Sequence, residues 1–454
     1  MNRMNPRKNE IDMLHGPLAG KILRFALPLA ASSVLQQLFN AADLAVVGRF
    51  ASSQAMAAVG SNGSVVGLLI NLFVGLSVGA NVVIGNLLGA GRRSEVPDAV
   101  HTVMSLALAA GAILLVLGVA VARPILQLMG APAEVLNLAV LYLRIYFLGM
   151  PAIMLYNYGA AVLRSRGDSR RPFLALTLAG IVNVGLNLLF VIVFHLHVIG
   201  VALATVLSNC LSGGLTLWFL LTEPGEFRLN LKKLRIRREY FSAVVRIGLP
   251  AGLQGTVFSL SNVVIQSAVN SFGANCIAGM TAAQNFEFAS FCLINAFAQT
   301  AVTFVSQNYG ARDKARCRKV FAWCMVLALG IDFVVLLVIQ LFRGSLIRIF
   351  TTDEDVIAFA MVRFRWAVGL HFLCATYEIP GGSMRGMNRS LAPAIISTLG
   401  TCAFRLAYVF FFFPAHRSVE TLVQVYPLSW ILTCVVMNTA HALVLRRAFR
   451  TDPK

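Results

Sequence analysis

Charge is scarce in this chain. Of its 454 residues only 13% are Asp, Glu, Lys or Arg, 58% are hydrophobic, and the mean hydropathy is +0.76. That balance excludes an ordinary soluble domain and leaves no room for a large catalytic domain outside a membrane. Sustained alternation of apolar and polar residues is absent too, and open sheets cannot span lipid, which leaves helices. The eight cysteines show no C-x-x-C spacing and mostly sit in apolar runs, so neither a zinc site nor a disulfide framework is indicated. No G-x-x-x-x-G-K-[ST] loop occurs, so any pumping must draw on an ion gradient or an unseen partner. The first twenty residues lack the apolar core of a signal peptide and are expected to stay in the cytoplasm.

What the chain has instead is long apolar stretches. A helix crosses a bilayer with roughly 20 residues, and twelve such stretches lie between residues 17 and 445. The expected fold class is an all-α integral membrane protein with twelve transmembrane helices. Lys and Arg accumulate on the cytoplasmic side of a membrane. With both termini inside, 29 of the 38 basic residues fall in cytoplasmic segments and only Arg49, Arg123, Arg343, Arg348 and Arg417 in outer loops. The net charge of +19 is therefore explained by topology and calls for no nucleic acid. The expected location is the inner membrane.

The sequence also repeats itself. FALPLAASSVLQQ is similar to IGLPAGLQGTVFS, which pairs Pro28 with Pro250 at an offset of 222. Two further matches follow in order, Gly89 with Gly310 and Arg166-Gly167 with Arg385-Gly386, at offsets of 221 and 219. Each copy holds six crossings, an even number, so both insert with the same orientation as two pseudo-symmetric six-helix bundles. The expected division is an N-terminal lobe over 1–222, a cytoplasmic linker over 223–239 and a C-terminal lobe over 240–454.

The strings LPLAASSVLQQLFNAADLAVVGRF, LYNYGAAVLRSRGDSRRP, QNYGARD and SMRGMNRS, with their order and the paired LP starts, resemble the multidrug and toxic compound extrusion (MATE) family over nearly the whole chain. The resemblance implies a polyspecific exporter with a central cavity between two lobes, exchanging an organic, often cationic compound for H+ or Na+. No cofactor is expected. Small organic substrates and membrane lipid are the expected partners, and the functional unit is expected to be a monomer.

Four acids fall inside the proposed spans, and a carboxylate there costs about 2.5 to 3.5 kcal/mol on insertion scales, which makes each a functional candidate. Asp43 lies three residues after Asn40 and seven after Gln36, on one helix face. It matches the family's first-helix acid and is the expected site of the coupling proton, with Na+ near it as the alternative. Asn183 and Asn187 share a face of the fifth helix. Many family members carry Asp where Asn187 stands, so Asp43 is left as the only acid of that cavity. Glu287, with Gln284 one turn before and Phe291 one turn after, suits a cationic aromatic compound. Glu378 precedes Pro380 and is expected either in the substrate cavity or paired with Arg385. Asp332 has no amides around it in sequence and reads as snorkelling or structural, and Arg405 reads as one half of an ion pair with Glu378 or Asp43.

Two rival readings follow. A flippase for a lipid-linked oligosaccharide or phospholipid would need several buried Arg or Lys, and Arg405 is the main candidate. A membrane-embedded enzyme would need a nucleophile or metal constellation, and His195 and His197 have no convergent acid.

Overall fold

The computed structural model describes residues 10–50, 53–128 and 133–449. The terminal arginines and lysines counted above as Arg3, Arg7, Lys8, Arg450 and Lys454 lie outside them. Among the described residues there is no strand. Eleven helices are long and apolar enough to cross a membrane, and a bent pair makes twelve.

In chain order the helices are α1 (Ala19–Phe50), α2 (Ser53–Gly89), α3 (Val96–Leu128), α4 (Ala133–Leu148), α5 (Met150–Ser165), α6 (Arg170–Leu188), α7 (His197–Thr222), α8 (Arg238–Asn270), α9 (Ala274–Gly310), α10 (Lys314–Arg348), α11 (Glu354–Arg363), α12 (Ala375–Gly386), α13 (Leu391–Ser397), α14 (Phe404–Ala407) and α15 (Val419–Arg447). Pairs α11–α12 and α13–α14 are joined by wide and tight helical turns into the spans Glu354–Gly386 and Leu391–Ala415. The fourth crossing, expected as one helix, bends by 48° between Leu148 and Met150. Pro151 in the first turn of α5 explains the break, because it has no N–H to continue the ladder of α4.

The chain forms two compact units. The first holds Met1–Asp12 and Ala31–Gly252, the second Met13–Ala30 and Leu253–Lys454. The changeovers fall two residues after each repeat proline, Pro28 in α1 and Pro250 in α8, both retained inside continuous helices. The opening turns of α1 thus belong with the second unit and those of α8 with the first.

In the first unit α5 packs on α2, α3 and α7, and α6 on α7. Tyr158 of α5 is buried and its hydroxyl donates to the Phe73 carbonyl of α2 at 3.0 Å. In the second unit the most buried span is α9, enclosed by α10, α11 and α12. All eight cysteines are free thiols and six are buried, consistent with packing.

At one end of the first unit, Glu223 just after α7 joins Arg166 at 2.5 Å and also Arg171, while Asp168 pairs with Arg171 and Glu10 with Arg166. Burial alone would raise the Glu223 carboxyl, but hydrogen bonds from Arg171 and Arg166 outweigh it and hold the group below the ordinary glutamate value.

Candidate functional site

In the first unit the residues singled out on the first and fifth crossings come together. Asp43 of α1 is buried, 7% exposed. The Asn187 amide of α6 donates to its Oδ1, and to Asn183 Oδ1 at 3.2 Å. From α7, which the sequence reading had not implicated, Thr205 Oγ1 lies 3.4 Å from Asp43 Oδ2. In the same unit Val46, Val47, Tyr142, Val191, Val198 and Val201 form a buried, largely apolar cluster. Such surroundings strengthen every polar contact inside and penalise any unmet one. One is unmet: the buried Oδ1 of Asn187 has no hydrogen-bond partner. Asn40 and Gln36, expected beside Asp43, instead occupy exposed positions on α1. Three helices, rather than one helix face, supply the hydrogen-bonding surroundings of this acid.

The second unit holds a denser polar cluster. Glu287 of α9 is bridged by Arg363 of α11, with Nε at 3.0 Å and the neighbouring nitrogen at 2.9 Å from Oε2. His371 sits 3.9 Å from the other oxygen and 2.6 Å from Ser290 Oγ, one turn along α9. Arg405 is buried, 1% exposed, and its Nε donates to Ser429 at 3.0 Å. Its guanidinium lies over the rings of Tyr426 (4.7 Å) and Phe258 (5.5 Å), and Arg363 lies over Tyr426 as well (5.2 Å). One tyrosine therefore carries two arginines.

Several expectations change accordingly. Glu287 is not an unpaired charge awaiting a cation: Arg363 already neutralises it. Arg405 forms no ion pair with Glu378 or Asp43 and is held by aromatic faces and a serine instead. Arg385 does not bridge Glu378 but donates to Gln254 at 2.8 Å. Gln284 and Phe291 take exposed positions on α9. Asp332 of α10 is fully buried and neither of its oxygens has a hydrogen-bond partner, so it does not snorkel to an interface. His371 is a histidine with a convergent acid, which the reading of His195 and His197 had missed. Ser290 beside it is wholly buried, so its hydroxyl has no open face for attack on a substrate. Among the described residues no group of three or more His, Cys, Asp or Glu is arranged to hold a metal ion.

The MatE family model matches the chain twice, over residues 28–189 and 250–411. The chain belongs to the MATE family. The two matches start on Pro28 and Pro250 and reproduce the offset of the internal repeat. This MATE protein is 28% identical to the probable multidrug resistance protein YoeA of Bacillus subtilis over 82% of either chain. It is also 28% identical to the probable multidrug resistance protein NorM of Thermotoga maritima, covering 86% of this chain and 84% of that one. An FAD transporter of Shewanella oneidensis is 24% identical over 77% of this chain and 78% of its own. Among solved structures, a transporter from Pyrococcus furiosus described as having reversed binding-pocket polarity aligns with TM-score 0.88 at 22% identity, over 98% of this chain and 99% of that one. The fold is thus that of a MATE transporter, a multi-pass membrane protein of a multidrug efflux family.

Proposed function

We propose that this MATE protein is an antiporter that exports small organic compounds, with Asp43 carrying the coupling proton. The observation that supports this reading is the buried Asp43 carboxylate held by side chains of two other helices, beside an Asn187 oxygen that has no donor. Protonation of Asp43 creates a donor, and rotating the Asn187 amide would turn that orphaned oxygen toward it. The ionised and neutral forms therefore favour different side-chain arrangements at the α1–α6–α7 junction, which is the differential interaction a coupled cycle requires. Alternating access between two lobes inserted with the same orientation would turn that local preference into transport. The driving force suffices: one charge across about 100 mV is worth roughly 2.3 kcal/mol and one pH unit roughly 1.4.

The test is uptake of a fluorescent organic cation into everted vesicles under imposed pH or sodium gradients. With Asp43→Asn, pH-driven transport is expected to fall to background. Undiminished transport in that variant would remove Asp43 from the mechanism, and stimulation by sodium alone would replace the proton.

A second reading rests on the second unit. Buried Arg363 and Arg405 both lie against Tyr426, and Glu287 is already paired with Arg363, so this cluster does not single out cationic cargo. Guanidiniums on aromatic faces suit a planar anion as well as they suit a structural role. Competition by an anionic fluorophore against the cationic one distinguishes the two: inhibition by the anion, lost in Arg405→Gln, favours anionic cargo.

A further inference from the structure

Several basic residues at the charged ends of the helices are already engaged. Arg92 and Arg93 pair with Glu95 and Glu226, Arg235 and Arg237 with Asp98, and Arg316 donates to the Met13, His15 and Gly16 carbonyls. Others are not, among them Arg228, Lys232, Lys233 and Arg238 before and at the start of α8, and one group that surrounds a groove. Lys314, Arg318 and Lys319 on the opening turns of α10, and Arg446 in the last turn of α15, are exposed and form no ion pair among the described residues. Asp313, the acid next to them in sequence, is spent on the Arg316 N–H as the helix cap at 2.8 Å.

These four cations rim a groove of about 900 Å³ between α10 and α15. Both helices pack on α12, which lies behind. One turn toward the membrane the lining becomes apolar, with Phe321 and Leu445. The floor is fixed: His441 is buried, hydrogen-bonded to Ser383 of α12 at 2.9 Å, with its ring 4.2 Å from that of Phe321. Residues 314, 318 and 322 stand four apart on one helix face, so the groove runs along the axis from charge to hydrocarbon over about 12 Å.

We propose that this groove binds an anionic phospholipid, its phosphate among Lys314, Arg318, Lys319 and Arg446 and an acyl chain against Phe321 and Leu445. A soluble anion would use only the rim, and a neutral lipid only the wall. A ligand with a negative head and an apolar tail uses both, and unneutralised cations beside a transmembrane helix end are what anionic headgroups seek.

The full chain, purified in detergent, is to be titrated with dioleoyl phosphatidylglycerol and with dioleoyl phosphatidylcholine, and bound lipid counted by native mass spectrometry. Preference for phosphatidylglycerol is expected, with a loss of at least about tenfold when Lys314, Arg318, Lys319 and Arg446 are all changed to Gln. Removing four charges elsewhere, at Arg228, Lys232, Lys233 and Arg238, is expected to leave the preference intact. Ala442→Trp keeps every charge while filling the groove and is expected to weaken binding too, which covers a quadruple variant that fails to fold. Equal retention of both lipids, or equal loss in the two quadruple variants, would overturn the proposal. Displacement of the lipid by glycerol 3-phosphate at comparable concentration would overturn the lipid assignment.

Discussion

The buried charges differ in what removing each would do. Arg363 and Glu287 compensate one another in a low-dielectric setting, so deleting one partner leaves an unpaired buried charge at a cost of about 3 to 5 kcal/mol. Arg363→Leu is therefore expected to lower the unfolding temperature in detergent sharply. Glu287→Leu on top of it is expected to restore most of the loss, and a double variant no better than the single would refute the pairing. Asp43 behaves differently, since its partners are neutral: Asn187→Leu removes one donor and is expected to cost about 1 to 3 kcal/mol while shifting the pH profile of transport. Both acids were legible in the sequence as polar residues in apolar runs. Their partners were not, because Arg363 follows Glu287 by 76 residues and Thr205 follows Asp43 by 162, and no local spacing encodes such a meeting. Exposed Asn40 shows the limit of spacing alone: helical periodicity says which residues share a face but not which neighbour covers it.

At the level of helices the sequence was read most reliably, since spans of this length and hydropathy admit few alternatives in lipid. The bend between α4 and α5 was the exception, though Gly149 and Pro151 mark it in the sequence. Close packing between helices leaves a finer signature at adjacent glycines of α7. A Cβ on Gly213 would stand 2.6 Å from the Ala152 carbonyl oxygen of α5, whereas one on Gly214 would meet nothing within 4 Å. Gly213→Ala is thus expected to push α5 and α7 apart and destabilise by about 1 to 3 kcal/mol. Gly214→Ala should be neutral or slightly stabilising through the loss of glycine's freedom in the unfolded chain. Comparing the two melting curves tests the helix contact directly, and equal behaviour would mean that α5 does not approach α7 this closely. The Glu223 cluster at the end of α7 gives a pH counterpart. A carboxyl held below its ordinary value contributes stability that is present above that value and lost as pH falls through the lowered one. Glu223→Gln is expected to reduce stability at neutral pH and to flatten the acid side of the stability curve below about pH 4.5.

For the whole molecule, orientation in the membrane decides which segments meet the cytoplasm, and its reading rests on the lopsided distribution of Lys and Arg. The expected orientation puts the Lys232–Arg238 connection in the cytoplasm and the turn around His416 outside. Both segments are exposed, and among the native thiols only Cys210 is fully exposed, so a Cys210→Ser background is close to silent toward a membrane-impermeant maleimide. In that background Lys232→Cys is expected to react in everted vesicles and not in intact cells, and His416→Cys in the reverse pattern. Five spans, an odd number, lie between residues 232 and 416, so the two probes must answer oppositely if all five are inserted. Reaction of both from the same side would mean that a crossing between residues 232 and 416 is not inserted. A clean exchange of the two patterns would turn the molecule over and refute the reading of sidedness from Lys and Arg, while the direction of exchange would still follow the imposed proton gradient.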